Sequence, residues 1–156
     1  MDYDALKAQL AVDEGTRRYR YKDSRGFMTI GRGHNIDADP HYPYTVADEP
    51  LTDAQIESLE NRDIAIAVGA LDEYANWWRA MDEMRQTVLA NMCFNMGWGK
   101  LSQFKNTLDA MHFGKYDLAA AGMRASRWYA QVGGEFERPG VPARGERLAR
   151  IMEQGA

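Results

Sequence analysis

One short stretch breaks the helical rhythm of this chain, and that break limits the folds open to it. Tyr19-Arg20-Tyr21 and Phe27-Met28-Thr29-Ile30 are aromatic and β-branched runs of strand length, a composition that suits a pleated, half-buried surface. Between them stands Asp23-Ser24-Arg25-Gly26, with Asp first and Gly fourth, as a type I turn prefers. The pair predicts a β-hairpin, and Gly31-Arg32-Gly33-His34-Asn35 continues into a third short strand.

The rest of the chain reads as helix and loop. Tyr3, Leu6 and Leu10 recur at helical spacing, so residues 2–13 form a first helix with Gly15 as its C-cap. Pro40, Pro43 and Pro50 mark residues 36–50 as loop. Thr52-Asp53-Ala54-Gln55 is a capping box. It opens a helix that carries Ile56, Leu59, Ile64 and Leu71 and runs to about residue 74. Helical spacing then covers 83–96 up to Gly97, 101–112, 116–129 and 142–154, with Pro142 suited to a helix start. A small antiparallel sheet within an otherwise helical chain is an α+β arrangement.

The 156 residues suit one domain or two small lobes that share a helix. The expected layout is a β-containing lobe over about 13–60, a linking helix over about 52–75, and a helical lobe over about 76–156 on which helix 2–13 packs. Hydrophobic residues make up 45% of the chain, enough for a core without disulfide staples. The single cysteine, in Met92-Cys93-Phe94, reads as a small buried hydrophobe, and a reducing compartment fits it. The start Met1-Asp2-Tyr3-Asp4 is charged and no run of 18 apolar residues follows, so neither a signal peptide nor a membrane span is expected. His34, His41 and His112 show no ligand spacing with Cys93, and neither metal nor cofactor is expected.

The net charge of −4 hides an asymmetry. Residues 16–35 carry six basic side chains against Asp23, residues 36–83 carry twelve acids against Arg62 and Arg79, and residues 124–150 carry six arginines against three glutamates. Basic faces of this kind can steer a polyanion, with Arg18, Arg20 and Arg32 as candidates, or can be ordinary solvated surface. No nucleic-acid-binding motif accompanies them.

Glu14, Asp23 and Thr29 are the polar residues that a helix end packed on a hairpin brings around one cleft. Two carboxylates are what glycosidic cleavage needs, one to protonate the leaving oxygen and one to activate water. Glu14 ends the first helix, where partial negative charge favours the protonated form that a general acid requires. Asp23 stands beside Lys22 and Arg25, which favour its anion. Taken singly, each residue also has an ordinary structural explanation: a solvated helix end, a turn initiator and a strand residue.

The order of these residues adds a resemblance. Glu14-Gly15, Tyr21-Lys22-Asp23 and Gly26-Phe27-Met28-Thr29-Ile30-Gly31-Arg32-Gly33-His34 resemble the N-terminal lobe of the T-even bacteriophage lysozyme family, glycoside hydrolase family 24. That family has a Glu, an Asp nine residues later, a Thr six beyond and an Ile-Gly-x-Gly-His string. The likeness resumes at Leu51 through Asp63, at Asn91 through Gly97 and at Ser126-Arg127-Trp128-Tyr129.

The resemblance implies a bilobed lysozyme-like fold with a cleft between a sheet lobe and a helical lobe. It implies a muramidase (EC 3.2.1.17) that hydrolyses the β-1,4 bond between N-acetylmuramic acid and N-acetylglucosamine in bacterial peptidoglycan, with inversion. Glu14 resembles the general acid, Asp23 the base-side carboxylate and Thr29 the residue that holds the attacking water. Gly33, Phe94 and Asn95 resemble residues that line the cleft, with core packing a rival for Phe94. Arg144 matches an arginine that pairs with the catalytic glutamate, and His34 a structural histidine whose pKa is raised by an acid on the linking helix, here Asp63. Trp77, Trp78, Trp98 and Trp128 read as packing residues, and His41, Tyr42 and Tyr44 lie in a loop that departs from the family pattern. The implied biology is a monomeric endolysin with no nucleic-acid partner and no stable membrane insertion, held in the host cytoplasm until a holin releases it to the cell wall. A lytic transglycosylase using Glu14 alone, and a glycan-binding domain without catalysis, are the rival readings.

Overall fold

The computed structural model describes residues 1–155. Its first helix, α1 (Tyr3–Glu14), stops where Gly15 takes a φ of 65°, a left-handed turn that glycine makes without strain. Three short antiparallel strands follow: β1 (Arg17–Lys22), β2 (Met28–Gly31) and β3 (His34–Asn35), in that sheet order. The register sets Tyr21 opposite Thr29 and Ile30 opposite His34. A loop with one 3-10 turn, Val46–Asp48, leads to α2 (Asp53–Tyr74). The capping box at its start is formed: Gln55 N donates to Thr52 Oγ1 at 3.2 Å and Thr52 N to Gln55 Oε1 at 2.9 Å.

A second 3-10 segment, Asn76–Ala80, leads to α3 (Glu83–Leu101), α4 (Lys105–His112), α5 (Tyr116–Arg124), α6 (Arg127–Gln131) and, after a two-stranded sheet, α7 (Arg144–Gln154). Three details differ from the sequence reading. Gly97, at φ 76° and ψ 158°, breaks α3 as expected, but one more helical turn follows it. The single helix expected over 116–129 is two, because Ser126 leaves the helix and caps the next one, accepting from Tyr129 N at 3.2 Å. The loop before α7 contains a hairpin, β4 (Phe136–Arg138) and β5 (Val141–Pro142), so Pro142 ends a strand and Ala143 is the N-cap of α7.

The chain divides into two compact units, residues 7–66 and residues 1–6 with 67–156. The division falls within α1 and within α2, so each helix contributes to both. In the first unit, Ile30, Leu51, Ile56 and Leu59 form a small core covered by Ile36, Tyr42 and Tyr44. The loop over 36–50 is therefore the roof of that core. In the helical unit every residue from Gln86 to Cys93 of α3 is buried, and α7 packs against α3, α5 and α6. Trp78 and Trp128 belong to this core, whereas Trp77 and Trp98 are half-buried. Cys93 is buried, and burial pushes its thiol up to about 11, which makes it unreactive. No helix among the described residues is long and apolar enough to cross a membrane.

Candidate active site

Glu14 is the last residue of α1 and is half-buried. Its carboxylate lies against the bare backbone of Gly33: a Cβ there would stand 2.6 Å from Glu14 Oε2 and 3.0 Å from Cδ. Gly33, at φ 72°, is thus needed twice, for its left-handed backbone and for its missing side chain. The resemblance made Gly33 a substrate residue; the structure also gives it a part in seating the glutamate.

Asp23 follows β1 and starts the hairpin turn. Gly26 N donates to its carbonyl at 2.9 Å, and its Oδ1 accepts from the backbone N–H of Arg25 and of Phe27, both at 2.9 Å. One carboxylate oxygen therefore fixes the turn, as Asp commonly does. The other, Oδ2, faces Arg25 Nη2 at 3.9 Å. Thr29 is 4% exposed, and its hydroxyl donates to Phe27 O at 2.9 Å. With its proton so committed, Thr29 Oγ1 offers only lone pairs to a further partner.

Tyr21 connects the three. It stands opposite Thr29 in the register, and opposed residues of an antiparallel pair share a face. Burial raises the pKa of its hydroxyl; Arg17, stacked 4.6 Å over the ring, opposes this, and the charges of Glu14 and Asp23 raise it further. Glu14 and Asp23 therefore both stand close enough to this phenol for their charges to act on it. Sequence reasoning did not single out Tyr21, although it lies two residues before Asp23.

His34 begins β3 and is buried. Its Nδ1 lies 2.7 Å from Asp63 Oδ2 and its Nε2 2.9 Å from Asp39 Oδ2. Burial disfavours the imidazolium, but the two carboxylates outweigh that and the pKa is raised. Asp39 was not anticipated. Burial opposes its charge, yet the backbone N–H of His41, the His34 ring and Arg62, which also bonds it, together hold its carboxyl below the ordinary value. The loop carries the second anchor of His34, and Tyr42 stacks on the imidazole at 5.7 Å. Arg18, Arg20 and Arg32 are each committed to a carboxylate, Asp53, Glu49 and Glu60 respectively, which weakens the outward field expected of them.

The family model described as phage lysozyme matches residues 11–147. The chain belongs to the phage lysozyme family. It is 28% identical to "Probable T4-type lysozyme 2" of Dictyostelium discoideum, over 97% of this chain and 95% of that protein. It is 30% identical to "Pre-baseplate central spike protein Gp5" of Enterobacteria phage T4, over 86% of this chain and 26% of the other. It is also 31% identical to "Peptidoglycan hydrolase gp36" of Pseudomonas phage phiKMV, over 81% and 14%.

Three further candidate residues of this phage lysozyme chain lie in the helical unit. Phe94 is half-buried. Asn95 Oδ1 accepts from Trp128 Nε1 at 2.9 Å, which fixes the orientation of its amide. Arg144, the first residue of α7, is buried and donates to Asn91 Oδ1 from Nε at 3.1 Å and from Nη2 at 2.7 Å. Among the described residues no group of three or more His, Cys, Asp or Glu is arranged to hold a metal ion.

Proposed function

We propose that this lysozyme hydrolyses the β-1,4 bond between N-acetylmuramic acid and N-acetylglucosamine of bacterial peptidoglycan by general acid and base catalysis with inversion. Glu14 protonates the leaving oxygen. Asp23 takes a proton from water on the opposite face of the sugar, and Thr29 accepts the second water hydrogen, aiming the water oxygen at the anomeric carbon. The supporting observation is the hairpin itself: Phe27 is bonded to both Asp23 and Thr29, and the Glu14 carboxylate lies against Gly33 in the turn after β2. Gly33, Phe94 and Asn95 contact the glycan, Arg144 is a supporting cation, and His34 with Asp63 stiffens the sheet unit. The protein acts as a monomeric endolysin that stays in the host cytoplasm until a holin lets it reach the wall.

The test is clearing of outer-membrane-stripped cells by wild type, Glu14→Gln, Asp23→Asn and Thr29→Ala, with the first product followed by NMR. Losing either carboxylate is expected to cost about 10²–10⁴-fold in rate, and losing the threonine hydroxyl about tenfold. The first-formed reducing end should be the α anomer. A 1,6-anhydro end with Asp23→Asn still active is the result that selects the transglycosylase instead.

A further inference from the structure

The turn Gly31-Arg32-Gly33 joins β2 to β3, and its position decides where the Glu14 carboxylate can rest, because that carboxylate lies directly on Gly33. Three residues of α2 hold the turn and the strand after it. Gly31 leans on Ile56, whose Cγ2 lies 3.5 Å from where a Cβ would be. Arg32 Nε reaches Glu60 Oε2 at 3.6 Å. His34 Nδ1 meets Asp63. Positions 56, 60 and 63 follow the four-then-three spacing of one helix face, so a single stripe of α2 backs the whole segment.

Glu60 is the odd member of that stripe. It lies between Ile56 and Ile64, both buried. Its side chain is 4% exposed, and its Oε1 is buried without a hydrogen-bond partner. Burial raises its pKa; Arg32 and Lys7 counter this, while Glu57 and Asp63 add to it. A carboxylate kept there costs free energy that an apolar side chain would not. What the carboxylate supplies is a fixed partner for the one side chain that projects from the turn beneath Glu14.

We propose that Glu60 is a positioning residue for the acid: through Arg32 it seats the Gly31–Gly33 turn under the Glu14 carboxylate. This rests on the reading of Glu14 as the general acid. It makes Glu60 a part of the site that touches neither substrate nor the reacting bond. The pair acts on the approach geometry of Glu14, so its loss falls on kcat and leaves KM near its wild-type value.

The experiment compares Glu60→Gln, Arg32→Met, Arg32→Lys and the double variant Glu60→Gln/Arg32→Met, with Glu57→Gln as a control for loss of a nearby exposed carboxylate. Two quantities are read: kcat and KM on soluble peptidoglycan fragments, and the titration midpoint of Glu14 by side-chain carbon NMR. Glu60→Gln and Arg32→Met are each expected to lower kcat about tenfold with KM within about twofold, and to move the Glu14 midpoint. The double variant should lose no more than either single one, Arg32→Lys should lose less than Arg32→Met, and Glu57→Gln should match wild type. An unchanged kcat and Glu14 midpoint in Glu60→Gln overturns the proposal, whatever happens to its melting temperature. An equal effect of Glu57→Gln overturns it too, since the cause is then general charge. If Glu60→Gln does not fold, the half-exposed Arg32 variants decide by the same criteria. Full activity in Glu14→Gln would remove the acid reading, while the Glu14 midpoint in the Glu60 and Arg32 variants still decides whether the pair positions that carboxylate.

Discussion

The two units differ in the size of the apolar core that surrounds their buried polar groups. In the unit of residues 7–66 a core of a few apolar side chains is ringed by carboxylates and cations: Glu60 with Arg32, Asp39 and Asp63 with His34, Glu49 with Arg20. In the helical unit every residue of α3 from Gln86 to Cys93 is buried. Some polar groups inside it bond to backbone, as where Gln86 donates to the carbonyls of Arg79 and Met81 and Thr87 donates to that of Glu83, while Arg144 donates to the side chain of Asn91. Burying apolar surface is non-directional and sums with area. Ion pairs fix direction and gain little stability once desolvation is counted. The sheet unit gives up apolar packing for fixed positions, and it is the unit that holds Glu14, Asp23 and Thr29.

The contrast breaks if the helical core tolerates truncation. Leu89 in α3 is fully buried, and Leu89→Ala is expected to cost about 3–4 kcal/mol, the lost transfer energy plus the cavity. Because no titrating group is involved, the loss should be the same from pH 4 to pH 8, and the specific activity of the folded fraction should stay at the wild-type level. Urea denaturation across that range checks both statements. A loss under about 1 kcal/mol would mean the site collapses around the missing atoms.

The helical unit also buries charge, at Arg144 and at Glu146, and Glu146 sharpens the comparison. Glu146 on α7 is nearly buried; its carboxylate accepts from Arg124 on α5, Tyr129 on α6 and Arg150 on its own helix. Arg124 is the main cause, and burial opposes it; with Arg150 and Tyr129 the carboxyl is pulled from 4.5 to about 2. A lowered carboxyl pKa means stability that is present above the unfolded value of 4.5 and is lost as pH falls toward about 2. The shift corresponds to about 3 kcal/mol, and screening at the exposed Arg150 reduces the expectation to about 2 kcal/mol. Glu146→Gln should therefore be less stable than wild type at pH 7 and approach it near pH 2. A gap that does not close in acid would assign the effect to packing.

How much could be read from the sequence divides along the same line. The helices of the helical unit follow from apolar spacing, and the main hairpin follows from Tyr21, Ile30 and the Asp23–Gly26 turn. Hairpin β4–β5 was missed because Phe136, Glu137 and Arg138 are all exposed, so no alternation exists to detect; Pro139-Gly140 was its only signal. The break at Ser126 was hidden by continuous apolar spacing on both sides. In the sheet unit the pairing of His34 with Asp63 came from resemblance alone. Asp39 was beyond reach, since the loop that carries it has no periodicity and tertiary contact makes the match. Glu60 was within reach: it falls four residues after Ile56 and four before Ile64 on a buried stripe, where a carboxylate is out of place.

The smallest expected effect tests the sheet unit's side of the comparison. His34 is bracketed by two carboxylates, so its protonated form is the one the fold holds. Its pKa is raised above 6.5, and that contribution is complete below pH 6.5 and is lost as pH rises through the folded value. The pKa of Asp39 is lowered from 3.8, and its contribution is complete above 3.8 and is lost as pH falls through the folded value. Both are complete only between pH 3.8 and pH 6.5. His34→Asn should cost about 1 kcal/mol in that window, and the gap from wild type should narrow on either side, in acid as Asp39 protonates and in base as His34 loses its charge. Thermal melts every half pH unit from 3 to 9 measure the width of the window. A constant gap would show that His34 acts by packing against Tyr42 and Ile30, and the sheet unit would then be held like the helical one.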